Sequence, residues 1–157
     1  QKKEAEKRAM KIALAAIKYY LLSLEPVKDI MFDPEKAVSF EGETGPYLQY
    51  TYARARSILR KSGKDIKFTS SFGEEETAII KHLSQFPWIV KKCAQELKPN
   101  YLANHLFELA TLFNEFYHAR QVVGTEKERE LLTLVASVSI VLKSGLELLG
   151  IEALEEM

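Results

Sequence analysis

The sequence predicts an all-helical protein: a bundle of about five helices preceded by one further helix and a short strand or loop segment. Three observations carry this. Apolar side chains recur at spacings of three and four along most of the chain. Only 7 glycines and 5 prolines occur in 157 residues, mostly at the edges of the periodic segments. Hydrophobic residues make up 46% of the chain and charged ones 28%, which is enough for a core and far from a disordered composition.

Residues 4–24 read as the first helix, with Ala9, Ile12, Ala16 and Tyr19 recurring on one face and Pro26 stopping the run. Residues 27–44 carry no helical period. Val38 and Phe40, with Met31 and Phe32 nearby, are expected to form one or two short strands, with turns at Gly42 and Gly45. Pro46 opens a second helix at a favoured first-turn position, and the helix runs to about Ser62 and stops at Gly63. Residues 63–72 read as a polar loop with Ser70 and Ser71 as capping candidates. A third helix is expected over 73–86, with three glutamates in its first turn where the helix dipole favours negative charge.

Pro87 is expected to start a short fourth helix that ends near Leu97. Pro99 starts a fifth, which ends before Gly124, with Leu102, Leu106, Leu109, Phe113 and Phe116 in alternating steps of four and three. Thr125 is expected to cap a sixth, where Leu131, Val135, Val138, Leu142 and Leu149 line one face. Gly150 closes it, and 151–157 form a short tail. No internal repeat or low-complexity segment is visible.

Lysine plus arginine and aspartate plus glutamate both total 22, so the net charge is zero, but the charge is polarised. Residues 45–67 hold Arg54, Arg56, Arg60, Lys61, Lys64 and Lys67 against Asp65 alone, whereas 126–157 hold seven acidic and three basic side chains. A basic stretch of this kind suits a phosphate backbone. Cys93 stands alone in an apolar run, so no intrachain disulfide forms and the thiol reads as a small buried hydrophobe. No run approaches the roughly 18 consecutive apolar residues of a membrane span.

Catalytic constellations do not emerge. There is no glycine-rich phosphate loop and no nucleophile triad. Glu115 and His118 match half of a di-metal carboxylate motif, but no second Glu-x-x-His accompanies them, and one cysteine argues against zinc.

The segment Gly45–Lys61 is the most informative. On a helical wheel Leu48, Tyr52, Ala55 and Leu59 make the core stripe, while Tyr47, Tyr50 and Arg54 share a face centred about 140° away. Two aromatic rings and a guanidinium off the core suit unstacked bases, which stack on the rings and meet the cation. The same pair of tyrosines is also compatible with packing under a neighbouring loop.

The stretch Ser39-Phe-Glu-Gly-Glu-Thr-Gly-Pro-Tyr-Leu-Gln-Tyr-Thr-Tyr-Ala-Arg-Ala-Arg-Ser-Ile-Leu59 resembles the start of the anticodon-binding domain of arginyl-tRNA synthetases, the domain type named for a D-A-L-R motif. Residues 15–22 are similar to the helix before that domain, 106–117 to its central helix, and 142–153 with Met157 to its last helix and end. The segments lie in the family's order and cover nearly the whole chain.

The resemblance implies a class I aminoacyl-tRNA synthetase that activates arginine with ATP and Mg and esterifies it to tRNA. Its HIGH and KMSK signatures are not found here and are expected upstream, in line with a chain that opens on Gln1. Residues 1–40 would then be a connecting segment from the catalytic body and 41–157 the anticodon-binding helical domain. The expected partners are the anticodon loop of an arginine tRNA and the catalytic body of the same chain, with no DNA and no membrane. No cofactor is expected in this chain itself, and the setting is cytoplasmic.

The family's anticodon contacts carry over to Tyr47, Tyr50 and Arg54, to Tyr117 with Asn114 beside it as a lesser candidate, and to Met157 at the end of the tail. Tyr117 lies only about 60° from its helix's core stripe, so partial burial with a free hydroxyl is expected. Family members usually end Ala-Pro-Glu-Arg-Met, whereas this chain has Leu154 and Glu156 at the Pro and Arg positions. That implies a less constrained tail that lacks one phosphate partner. The alternative function is a helical protein–protein docking module with an exposed apolar patch and no salt-sensitive RNA binding.

Overall fold

The computed structural model describes residues 2–27, 29, 31–63, 72–73 and 76–157. Among these there are six helices and no strand: α1 (Lys2–Ser23), α2 (Pro34–Ala37), α3 (Gly45–Ser62), α4 (Thr77–Glu96), α5 (Asn100–Ala119) and α6 (Glu128–Leu148). The all-helical expectation holds. The expected loop at 63–72, with its serine caps and three lysine and aspartate charges, lies almost wholly outside the described residues, as do Glu74 and Glu75.

Several boundaries differ from the sequence reading; among them, the helix expected over 73–86 begins at Thr77 and not at 73. The short strands at Met31–Phe40 are absent. Asp33 accepts backbone N–H bonds from Glu35 and Lys36 and, with Pro34 at the first position, starts the single turn of α2 instead. An isolated strand there would have had no neighbour for its backbone groups. Pro87 does not begin a helix but lies inside α4, which runs unbroken through it. An internal proline costs about 3 kcal/mol. Ile79 and His82 are buried and Leu83, Phe86, Ile89, Val90 and Cys93 pack against the core on both sides of it, which offsets that cost. Thr125 does not cap α6; its hydroxyl donates to the Val122 carbonyl, while the Glu128 carboxylate reaches back to the Gly124 N–H at 3.2 Å.

Pro46 lies in the first turn of α3 and Gly63 ends it at φ 59°, as read, but Gly45 is the first residue of the helix and not a turn, and Thr44, which the sequence reading did not select, caps it by accepting the Tyr47 N–H at 3.1 Å. The core stripe of α5 is buried in full, as is that of α6. In α1 the buried residues are Ala15, Ala16 and Tyr19, with Ala9 exposed. In α3 Leu48, Tyr52 and Ala55 are buried, and Ile58 takes the place expected of Leu59, which is half-buried.

Helices α3, α5 and α6 enclose the core, α1 packs on α3 and α5, and α4 packs mainly on α5. Two close approaches set this arrangement. Gly45 sits against the main chain of Ala15, and Gly145 against the side chain of Leu106, each leaving no room for a Cβ. By length and composition α6 could cross a membrane, since serine and threonine punctuate rather than abolish its hydropathy, but 61% of its apolar window is buried within the bundle. Cys93 is half-buried, not fully so, and burial pushes its thiol up, away from the reactive thiolate.

Candidate nucleic-acid interface

A groove enclosing about 700 Å³ opens between α3, the end of α5 with the loop after it, and the last residues of the tail. Four of the residues singled out from the sequence line it: Tyr50, Arg54, Tyr117 and Met157. Tyr47 and Asn114 are not on its wall. They stand beside it, where they hold Arg54 in place.

Helix α3 brings Tyr50 and Arg54 together because residues four apart share a face. The Arg54 guanidinium carbon lies 4.7 Å from the Tyr50 ring centroid and 5.2 Å from that of Tyr117, so the cation sits between two rings contributed by two helices. Its Nη2 donates to the Tyr50 hydroxyl at 2.9 Å and its Nη1 to Asn114 Oδ1 at 2.6 Å. Asn114, buried in α5, in turn donates through Nδ2 to the Tyr47 hydroxyl at 3.0 Å and to Thr51 Oγ1 at 2.9 Å. Buried polar groups that bond one another in this way stiffen the surface above them.

Tyr50 and Tyr117 keep 40% and 36% of their surface, enough for a flat ligand to stack on. Tyr47 is half-buried with its ring 5.8 Å from that of Phe107, nearer to the packing alternative than to a free stacking face. Tyr117, expected to be partly buried, is exposed.

The tail is held rather than loose. Ile151 and Leu154 are buried, so the leucine at the expected proline position docks in the core. Gln49, fully buried, donates to the Glu152 carbonyl at 2.8 Å. The Glu155 carboxylate takes Arg56 Nε at 2.7 Å and the Tyr52 hydroxyl at 2.7 Å, and Arg60 donates to the Glu155 carbonyl at 3.1 Å. Glu156 lies 3.6 Å from Arg60 Nη2. Two acidic side chains therefore lie against two of the arginines that the sequence presented as free positive charge.

The groove also contains Ser57, Arg120, Gln121 and Val123, which the sequence reading did not select, and His118, which it had weighed only as half of a metal motif. Ser57 and Lys61 continue the Tyr50–Arg54 face at steps of three and four and were open to discovery on the wheel. The segment after α5 has no period, so only tertiary structure places it here. Glu115 is exposed and does not line the groove, and among the described residues no cluster of three or more metal-binding side chains occurs.

A family model described as the DALR anticodon binding domain matches residues 48–157. The arginine–tRNA ligase of Methanospirillum hungatei is 41% identical over 157 residues, covering 98% of this chain and 28% of that protein. The arginine–tRNA ligase of Parabacteroides distasonis is 36% identical over 165 residues, with the same two coverages. The solved Thermus thermophilus arginyl-tRNA synthetase is similar at a TM-score of 0.89 and 40% identity, over 97% of this chain and 28% of that one. The chain thus spans little more than a quarter of the length of these relatives.

Proposed function

The chain belongs to the DALR anticodon-binding domain family, and from that premise we propose that it is the tRNA-reading part of an arginine–tRNA ligase. In this reading the anticodon loop of an arginine tRNA enters the groove of α3, α5 and the tail. Bases leave their stack and lie on Tyr50 and Tyr117, while Arg54 meets a base edge or phosphate. Tyr47 and Asn114 brace Arg54, and Met157 lines the far wall. Arginine codons require anticodons that share a middle cytosine, which makes that base the natural element to read.

The observation that carries the proposal is the placing of one guanidinium between two half-exposed rings in a groove large enough for a base. Residues 41–157 are the reading module in this account and 1–40 the connection to a catalytic body. That body would bind ATP with Mg and activate arginine outside the residues present here, in the cytoplasm. Met10, Leu14, Ile17 and Leu21 remain exposed at helical spacing along α1 and give such a body an apolar strip to pack on.

The test is the binding of this chain to an arginine tRNA and to the same tRNA with its middle C replaced, at low and moderate salt. Weaker binding to the altered tRNA supports the reading. Equal binding reduces the chain to a backbone gripper, and no binding even at low salt leaves the docking-module alternative.

A further inference from the structure

We propose that the corner where the end of α4 meets the start of α5 is a second RNA-binding surface, which holds a single strand by its phosphates and unpaired bases on the side of α5 turned away from the groove. Such a surface goes beyond the anticodon reading and does not rest on it. On the wheel of α4, Lys81, Trp88, Lys91 and Lys92 fall within an arc of about 100°. Lys81, Trp88 and Lys91 are exposed, and Trp88 keeps 59% of its surface. Leu97 then turns the chain in the left-handed region at φ 55° and brings Lys98 and Tyr101 up beside that face.

The Lys92 ammonium lies 5.1 Å from the centroid of the Trp88 indole and 4.3 Å from that of Tyr101, so one cation bridges a ring from each helix. Lys98 Nζ stands 5.7 Å from the Tyr101 centroid and donates to its hydroxyl at 3.5 Å. Trp88, Lys92, Tyr101 and Lys98 thus form an alternating file of ring and cation. The Tyr101 hydroxyl gives its own hydrogen to Glu96 at 2.9 Å, which engages the one acidic side chain of α4. Glu108 lies two turns along α5 from Tyr101, beside His82. Four lysines outnumber these two carboxylates.

The chemistry of the file favours a nucleic acid strand. Phosphates need cations spaced along a line, and unpaired bases need flat faces open to solvent. An acidic peptide would use the lysines and leave the indole idle. Duplex RNA keeps its bases stacked inside the helix, so a single strand fits better. The surface is also separate from the groove. Tyr101 and Tyr117 both stand on α5, yet they are about 24 Å apart along its axis and about 160° apart around it. An RNA loop seated against Tyr117 leaves Trp88 untouched, so both places can be filled at once.

Trp88 is the sole tryptophan of the chain, so its fluorescence reports on this corner. The experiment titrates the chain with a short oligouridylate and follows that fluorescence at several salt concentrations, with and without a saturating anticodon hairpin. Quenching is expected, and it should persist with the hairpin bound and in Arg54→Ala. Trp88→Ala should weaken binding of a labelled oligouridylate by about tenfold, the worth of one base–aromatic stack. Lys92→Gln with Lys98→Gln should flatten the dependence of log Kd on log salt by about 1.4, the share of two cations on a single strand. Should that pair of substitutions disturb folding, Lys81→Gln with Lys91→Gln, both at exposed positions, decides in the same way. An absence of quenching at low salt overturns the proposal, as does an unchanged salt slope in the folded lysine variants. Quenching that vanishes when the hairpin is bound, or in Arg54→Ala, also overturns it, because the strand then acts through the groove. Equal quenching by oligoglutamate would hand the surface to acidic proteins and overturn it too. A chain that fails to bind the hairpin but is still quenched by oligouridylate loses the anticodon reading and keeps this second surface.

Discussion

The hydroxyl of Tyr52 donates at 2.7 Å to the Glu155 carboxylate, 103 residues further along the chain, and so binds the middle of α3 to the tail. Burial opposes ionisation of Glu155. The bonds from Arg56 and Tyr52, with the charges of Arg56 and Arg60, outweigh it and hold the carboxyl below its usual range. Burial foremost, then the bond to Glu155, pushes the Tyr52 phenol up to about 12. Because the folded-state carboxyl is the stronger acid, the anchor is fully in force above the ordinary carboxylate pKa and is lost as pH falls through the folded value.

Replacing that carboxylate should therefore loosen the tail and little else. Glu155→Gln is expected to speed amide exchange over residues 151–157, with at most about 1 kcal/mol lost from global stability, since the pair is about half exposed. Exchange rates equal to those of the unaltered chain would show that the buried Ile151 and Leu154 suffice to hold the tail.

Arg54 should not be replaceable by lysine. Arg54→Ala is expected to weaken RNA binding by roughly tenfold or more, and Arg54→Lys to recover little of it, because a single ammonium cannot bridge Asn114 and Tyr50 while also lying close to two rings. Fluorescence anisotropy with both variants makes the comparison, and full recovery by lysine would mean that only charge matters there.

A second titratable pair lies far from the groove. His82 and His105 stack with centroids 3.9 Å apart, and His82 Nε2 bonds the His105 carbonyl at 2.8 Å. Burial first, and then the neighbouring His82, lowers the His105 pKa to about 4. Below the ordinary value near 6.5 the unfolded chain binds a proton that the folded chain refuses, so stability falls as pH drops from about 6.5 to about 4. The loss is on the order of 2 kcal/mol. His105→Phe keeps a ring beside His82 and Phe86 and should flatten this part of the profile, measured by urea unfolding at several pH values; an unchanged slope would point to another group.

Gly145 and Leu106 should behave as a coupled pair. Gly145→Ala places a methyl inside the contact distance of the Leu106 side chain and is expected to cost about 1–3 kcal/mol by overpacking. In a Leu106→Ala background the same change should cost less, because the obstructing group is gone. Strictly additive losses in melting experiments would show that the helices move apart instead.

The legible part of this protein is the part whose residues report on themselves. Periodicity found the buried faces of α5 and α6, and Pro46 and Gly63 marked α3 almost to the residue. Proline was misleading at position 87 because its local cost is modest beside the burial on either side of it. Residues 34–37 form a helical turn because Asp33 supplies a cap, a stronger local instruction than the β-branched and aromatic residues that follow. The site was half legible. The wheel separated Tyr50 and Arg54 from the core but placed Tyr47 with them, although Phe107, distant in sequence, draws Tyr47 inward. Nothing in the order of residues could say that Arg120 to Val123 close the groove, or that Glu155 and Glu156 fold back on Arg56 and Arg60.

That fold-back makes the tail an intramolecular counterion. Free cations on a protein carry diffuse ions that RNA need only disperse, and affinity then falls with salt by a slope that counts them. Around Arg60 the competitor is covalently attached and does not thin out on dilution. An incoming phosphate must displace it group for group, at any ionic strength. The basic stretch of α3 should then look weaker to arbitrary polyanions than its sequence suggests, and reserve its charge for a ligand that fits the groove well enough to push the tail aside.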